Sequence, residues 1–320
     1  MLRSFLIYLS QADWARQMVT RWGFARRAAR RFVAGEQLDD AIRVVGELNE
    51  KGINATLDHL GEHTTSPEKA TRATEDILKI LDVIDQTGVR SNVSVKLTQI
   101  GLALDPSLCE ANFRRILDSA QAHHSFVRID MEEAGYVDAT LALLYKMSDE
   151  CCCGNLGVVT QSYLYRSSED MKRLMENGRR VRLCKGAYQE PPEIAYPKKS
   201  DVDVSYDRLA EMLIDGARAA GAPVLSEDGK IPPIPAFATH DPARITFAKE
   251  YAGKVNLPID ALEFQMLYGI RRDLQEGLAS EGYPVRVYIP YGSEWYPYYT
   301  RRLAERPANL WFFLSNLVRK

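Results

Sequence analysis

Eight short β-rich runs, set apart by helical patterns, constrain this 320-residue chain more than any other feature. The first four are "NATLDHLGE" from Asn54, "NVSVKLTQIG" from Asn92, "FVRIDME" from Phe126 and "LGVVTQSYL" from Leu156. Then come "RRVRLCKGAY" from Arg179, "PAFATH" from Pro235, "LEFQMLYG" from Leu262 and "VRVYIPYG" from Val285. Between them lie segments with apolar residues at helical spacing, such as "EKATRATEDILKILDVIDQTG", "SLCEANFRRILDSAQAHH" and "SYDRLAEMLIDGARAAG". Strands alternating with helices over about 250 residues predict an α/β chain closed into a (βα)8 TIM barrel. A doubly wound sheet is the competitor, but eight regular units with no internal linker favour closure. Residues 1–50 are expected to form an N-terminal helical arm, and 51–320 the barrel with its C-terminal helices. Two irregular places stand out: the proline-rich "QEPPEIAYPKKSDVD" after Tyr188, read as a loop, and the polar excursion "GAPVLSEDGKIPPIP" before the sixth strand.

Composition narrows the partners. Apolar residues at 46% and charged residues at 26% suit a soluble globular protein with an ample core. A net charge of −2 with a pI near 6.3 argues against nucleic acid, since no basic excess is present to meet phosphates. No apolar run reaches the length of a membrane span. The cysteines, Cys109, Cys151, Cys152, Cys153 and Cys184, are odd in number and fit no disulfide or metal-ribbon spacing. They point to a reducing, cytoplasmic compartment and to no metal.

The first 35 residues differ from the rest. Seven arginines (Arg3, Arg16, Arg21, Arg26, Arg27, Arg30 and Arg31) face one acid, Asp13, among Phe5, Leu6, Trp14, Met18, Trp22 and Phe32. A basic amphipathic segment can touch anionic lipid peripherally, at the inner face of a membrane, or serve as a transit peptide. More often it packs its apolar side on the protein.

Barrel enzymes build their sites at the C-terminal ends of the strands. Here the runs end in Asp58 and His59, Lys96, Asp130, Gln161, Lys185 and Tyr188, Thr239 and His240, and Tyr288. A single polar strand end is an ordinary loop cap, whereas seven such ends in a row describe a lined cavity. After the last strand, "YPYYTRRLAERPAN" places Tyr298, Arg301, Arg302 and Glu305 on one face of a helix that starts at Tyr298. Two guanidinium groups beside the rim suit a bidentate clamp on a carboxylate, with Glu305 able to hold an arginine in place.

Three chemistries could use such a rim. A metal hydrolase would want His-x-His on the first strand, and "DHLGEH" places His59 and His63 four apart instead. A Schiff-base aldolase acting on a small carboxylate could use Lys96 or Lys185. A flavin or nicotinamide enzyme needs phosphate anchors, and no G-x-G-x-x-G is present. The residues alone describe a barrel enzyme, or a barrel that binds an amino acid, with an anionic small ligand and its chemistry open.

Taken in order, "SVKLTQIG", "VRIDMEE", "VTQSYL", "VRLCKGAY", "FATHD", "EFQMLYGI", "VYIPYG" and "YYTRRLAERPAN" resemble the successive barrel segments of the proline dehydrogenase family. "RRFVAGEQLDDAIRVVGELNEKGINATLDHLGE" is similar to that family's N-terminal arm leading into the first strand. The resemblance implies a distorted (βα)8 barrel that binds FAD, oxidises L-proline to 1-pyrroline-5-carboxylate and passes electrons to quinone. It implies that a separate dehydrogenase takes the product. By position, Arg301, Arg302 and Lys96 would hold the substrate carboxylate, and Tyr288, Tyr298 and Leu267 would wall its ring. Arg182 would lie by the reactive flavin nitrogen, with Asp130 in the catalytic neighbourhood and near the cofactor. Gln161, Lys185, Gly186, Ala187, Tyr188, Thr239 and His240 would hold the flavin and its phosphates. Gly186 would leave the strand end open for a cofactor laid across it. Asp241 and Tyr268 stand where the long bifunctional members have asparagine and histidine, as in the short single-function bacterial enzymes.

Overall fold

Side chains along a strand alternate between two environments, and in this chain the alternation is polar against apolar. The computed structural model describes residues 29–61, 64–151 and 154–305. Its strands are β1 (Asn54–His59), β2 (Ser91–Val95), β3 (Val127–Ile129), β4 (Leu156–Gln161), β5 (Arg180–Cys184), β6 (Pro235–Ala238), β7 (Glu263–Leu267) and β8 (Val285–Tyr291). They pair in chain order as a closed parallel barrel, and β8 returns to β1 over Asn54↔Arg286 to His59↔Tyr291. All eight lie where the β-rich runs place them.

Ala55 and Leu57 of β1, Val127 and Ile129 of β3, and Val285, Val287 and Ile289 of β8 join the apolar core shared with the helices. Their alternate neighbours, Thr56, Arg128 and Arg286, are equally buried but polar. Thr56 Oγ1 donates to Asn92 Oδ1 at 2.6 Å, and Arg286 Nε donates to both Glu263 oxygens at 3.0 and 3.1 Å. The apolar face of each strand therefore packs outward on helices, while a hydrogen-bonded polar set fills the barrel.

Among the described residues, α1 (Leu38–Asn49) precedes the barrel. Helices α2 (Pro67–Thr87), α3 (Pro106–Ala122), α4 (Val137–Cys151), α5 (Ser167–Glu176), α6 (Lys199–Ala219), α7 (Pro242–Lys254), α8 (Arg272–Ser280) and α9 (Trp295–Glu305) follow the strands one by one. Local signals set three of the starts. Ser66, Asp105 and Asp241 each cap a helix through a backbone N–H, with proline at the first helical position. Two boundaries differ from expectation. α6 begins at Lys199, inside the stretch read as loop, with Asp201 in its first turn where the helix dipole favours an anion. α9 begins at Trp295 rather than Tyr298, because Trp295, Tyr296 and Tyr299 are buried and draw the earlier turn onto the barrel.

The polar excursion before β6 underlies the N-terminal ends of the strands. Arg286 Nη2 donates to Gly229 O at 2.7 Å, Asn92 Nδ2 to Lys230 O at 2.8 Å and Arg180 Nε to Pro232 O at 2.7 Å. At the opposite end, the start of the described chain lies along β7 and β8. Ala34 N donates to Pro290 O at 2.9 Å, and Gly292 N donates to Gly35 O at 3.0 Å. Phe32 is buried with its ring 6.1 Å from that of Tyr299 on α9. Packing of the arm on the protein therefore holds for Ala29 to Ala34, whereas residues 1–28 lie outside the described part. No helix among the described residues is long and apolar enough to cross a membrane.

The Arg286–Glu263 pair yields a stability test. Arg286→Met strands a carboxylate inside the barrel and should cost about 3–5 kcal/mol, read from urea unfolding. Adding Glu263→Gln should recover most of that loss, because the double variant leaves no unpaired charge.

Candidate functional site

Five strands send charged or polar side chains to one cluster at the C-terminal mouth. Asp58 is the penultimate residue of β1, Lys96 and Asp130 follow β2 and β3, Arg182 lies on β5 and Tyr288 on β8. Lys96 Nζ donates to Asp58 Oδ1 at 2.8 Å and to Tyr288 OH at 3.1 Å, and lies 3.6 Å from Asp130 Oδ2. Tyr288 OH donates to Asp130 Oδ2 at 2.7 Å, and Arg182 Nη1 donates to Asp130 Oδ1 at 2.8 Å. Both cations also stand near the Tyr288 ring, Lys96 at 5.8 Å and Arg182 at 5.3 Å from its centroid.

Burial and the charge of Asp130 push the Tyr288 phenol well above its usual pKa. Tyr288 is therefore a donor to Asp130 at neutral pH, not a base. Burial likewise raises the Asp58 carboxyl, against the opposing pull of Lys96. Arg182 is held on three sides, since its Nε also donates to Gln265 Oε1 and its Nη1 to Ser94 Oγ at 3.1 Å.

After the C-terminal end of β8, α9 carries Tyr298 and Arg302 on one face as the spacing predicts, with the guanidinium carbon 5.1 Å from the ring centroid. Arg301 and Glu305 fall on the same helix, but their side chains lie outside the described part. Leu267 ends β7 half-buried, and its backbone N–H donates to His240 Nε2 at 3.0 Å.

On the other side of the mouth, Lys185 Nζ contacts Asp203 of α6 and Asp241, the latter at 2.8 Å. Arg244 extends this cluster to Asp207 at 2.8 Å. Asp241 also caps α7 through Ala243 N, and Thr239 Oγ1 accepts from Asp241 N at 3.1 Å. Gly186 has φ +104°, a conformation that side chains rarely adopt, and a Cβ there would meet the Tyr163 ring at 2.2 Å. The glycine thus serves backbone geometry and the Tyr163 contact. Ala187 is exposed and Tyr188 half-buried beyond it. Gln161 Nε2 donates to Met131 O at 3.2 Å and Glu132 O at 3.3 Å, while its Oε1 is buried without a partner.

The structure thus joins Lys96, Asp130, Arg182 and Tyr288 in one network and sets Lys185, Thr239 and His240 around the β5–β7 side. Sequence reading gave no role to Ser94, Glu263 or Gln265. Their signal was present as alternation: Glu263 and Gln265 interleave with buried Phe264 and Met266. No group of His, Cys, Asp and Glu among the described residues is placed to hold a metal ion.

A closed (βα)8 barrel whose mouth gathers a lysine, an arginine, two carboxylates and a tyrosine has the architecture of an enzyme for a small charged substrate. The profile of the proline dehydrogenase family matches residues 41–314. The chain is 37% identical to proline dehydrogenase 1 of Bacillus subtilis over the whole of both chains. It is 40% identical to proline dehydrogenase of Deinococcus radiodurans, over 91% of this chain and 90% of that one. Among solved structures, proline utilization A from Bdellovibrio bacteriovorus, inactivated by N-propargylglycine, superposes with a TM-score of 0.80 at 26% identity. That match covers 91% of this chain and 34% of the larger one. The chain belongs to the proline dehydrogenase family, whose members are flavin-dependent.

Asp58 supplies a pH test. A carboxyl whose folded pKa is raised holds more protons folded than unfolded, so it costs stability as pH rises from the ordinary carboxylate range through the folded pKa. Asp58→Asn removes that loss. The stability of the variant relative to wild type, from urea unfolding, should therefore improve between about pH 4 and about pH 7. A relative stability that falls toward neutrality would show that the Lys96 contact outweighs burial.

Proposed function

We propose that this chain oxidises L-proline to 1-pyrroline-5-carboxylate with FAD as its cofactor, at the mouth built by Lys96, Asp130, Arg182 and Tyr288. The observation that carries the reading is this network itself, with Tyr298 and Arg302 of α9 stacked on the same helix face. Arg301 and Arg302 grip the substrate carboxylate, assisted by Lys96. Tyr288, Tyr298 and Leu267 wall the ring and orient its carbon next to nitrogen. The ring amine must be neutral when hydride leaves. Tyr288 and Arg182 hold Asp130 from both oxygens, so the carboxylate keeps one orientation.

Several features fit a flavin. The buried, unpartnered Gln161 Oε1 offers an acceptor to a ring imide N–H. Arg182 would supply a buried cation to favour the reduced cofactor, and Gly186, Ala187, Tyr188, Thr239 and His240 would complete the cradle. FAD, when bound, supplies the two-electron acceptor for the hydride from proline. Quinone then takes the electrons, and a separate 1-pyrroline-5-carboxylate dehydrogenase takes the product. A Schiff-base aldolase is disfavoured by the lysines. Lys96 stands between Asp58 and Asp130, and Lys185 between Asp203 and Asp241. Such pairing is opposite to the desolvated or cation-flanked lysine that a Schiff base requires.

The purified protein should be yellow with a flavin band near about 450 nm, and it should reduce a quinone or dye only when L-proline is present. A colourless preparation that stays inactive after added FAD would overturn the reading. Replacing Arg302 or Arg301 by methionine should raise the KM for proline by roughly 30- to 1,000-fold, the equivalent of about 2–5 kcal/mol. Flavin content should hold nearly constant. Unchanged proline constants in both variants would remove the clamp from α9.

A further inference from the structure

Inside the barrel, beneath the mouth, one amide joins two charged centres. Gln265 Oε1 accepts from Arg182 Nε at 2.5 Å, and Gln265 Nε2 donates to Glu263 Oε1 at 2.5 Å. Glu263 is in turn gripped by Arg286 Nε at 3.0 and 3.1 Å. All four side chains are buried, with Glu263 at 0% exposure and Gln265 at 3%. An amide can be turned end for end, but here its orientation is forced. Arginine can only donate and an ionised glutamate can only accept, so the oxygen must face Arg182 and the NH2 must face Glu263.

We propose that Gln265 is a positioning residue for the oxidation: it aims the Arg182 guanidinium at the reacting centre and anchors it to the buried Arg286–Glu263 pair. The argument is geometric. Arg182 projects from β5, and its Nη1 already donates to Ser94 on β2 and to Asp130 after β3. Those two contacts hold only one end of the planar group. The Nε contact on the β7 side fixes the rotation of that plane about the remaining axis. Gln265 itself cannot drift, because its other end is fastened to Glu263, and Glu263 is fastened by two hydrogen bonds to Arg286. Arg286 is fixed further by Ala55 O and Gly229 O, each at 2.7 Å. The cation at the mouth is thus braced through the barrel down to the loop that underlies it.

The inference rests on the flavin reading, in which Arg182 stands near the site of reduction. A cation held there favours the reduced, anionic cofactor, and its effect depends on placement. Gln265→Met keeps the length and volume of the side chain and removes both hydrogen bonds.

The experiment compares FAD-loaded wild type with FAD-loaded Gln265→Met. Flavin content, midpoint potential, kcat and the KM for proline are measured on each. The variant should retain flavin, show a midpoint potential shifted to more negative values, and lose on the order of 10- to 100-fold in kcat with KM changed little. A merely structural role would lower thermal stability or flavin content and leave the potential and kcat of the loaded enzyme in place. That result would overturn the proposal. Should the methionine variant not fold, Gln265→Asn carries the test. It keeps the amide but is one methylene too short to reach Arg182 and Glu263 together, so the same negative shift is expected and an unchanged potential overturns the proposal. Failure of the flavin reading is seen separately, as wild-type protein that binds no FAD.

Discussion

The contact between Arg182 and Asp130 sits where the strands could least tolerate unpaired charge. A parallel barrel covered by helices is buried on both faces of its sheet, and such strands usually read as apolar runs. Here the inner face carries arginine, glutamate, aspartate and glutamine instead. The cost of removing these groups from water is large, and it is offset only because each finds an oriented partner. Arg286 meets Glu263, Gln265 links Glu263 to Arg182, Arg182 meets Asp130, and Tyr288 and Lys96 carry the chain to Asp58. Remove one member and its neighbours become buried, unsatisfied polar groups. Among the described residues no carboxylate accepts a hydrogen bond from Arg128. It rests on the carbonyls of Val158 and Arg180 and 4.8 Å from the Phe126 ring centroid, and burial with the charge of Arg182 pulls its pKa well down. Gly157 makes room for it, since a Cβ there would stand 2.6 Å from Arg128 Nη1.

The barrel was legible in the sequence because its evidence is local. Each β-rich run carries its own period, and the helices between carry theirs, so eight units could be counted without knowing a single contact. The rim was legible for a related reason: strand ends are where a barrel places chemistry, and Asp58, Lys96, Asp130 and Tyr288 close the apolar runs, whereas Arg182 came only with the family resemblance. What escaped was the inner layer. Glu263, Gln265, Arg286 and Arg128 lie within the strands, away from their C-terminal ends, and a polar residue flanked by valine or phenylalanine reads as an exposed face until the strand is known to be closed into a barrel. Closure turns that face inward. Boundaries were lost where tertiary contacts set them, as for α9, which buried aromatics extend to Trp295. Gly186 shows a different limit: its position was noticed, but its φ angle and the close Tyr163 ring are supplied only by the structure.

At the mouth the strands divide the work. β5 delivers Arg182 to the network with Asp130 and, three residues on, Lys185 to a clasp formed by Asp203 and Asp241. Burial works to raise the Asp241 carboxyl, but the hydrogen bond and charge of Lys185 win and hold it below the usual range. The same aspartate caps α7, so the start of that helix, the first turns of α6 and the end of β5 are fastened at one point. Gly186 lets the backbone turn away immediately afterwards. A rigid β5 end is therefore shared by the two sides of the mouth, and Arg182 is placed by the same short segment that places the proposed cofactor cradle.

Charge accounting gives the helix beyond the last strand a part in the proposed site. Within the strand cluster, Lys96 and Arg182 are matched by Asp58 and Asp130, so two positive charges face two negative ones. Such a cluster can orient a zwitterionic ring, but it offers an incoming carboxylate little net attraction. In the proposed site further positive charge comes from α9, where Arg301 and Arg302 stand adjacent on one helix. Placing that charge on α9 also separates two demands. The strand cluster must stay fixed to hold Asp130 and Arg182, whereas substrate capture depends on a surface that meets the ligand from above. Phe32 against Tyr299 ties α9 to the start of the described chain, and the backbone bonds at Ala34 and Gly35 fasten that start in turn to the β8 end.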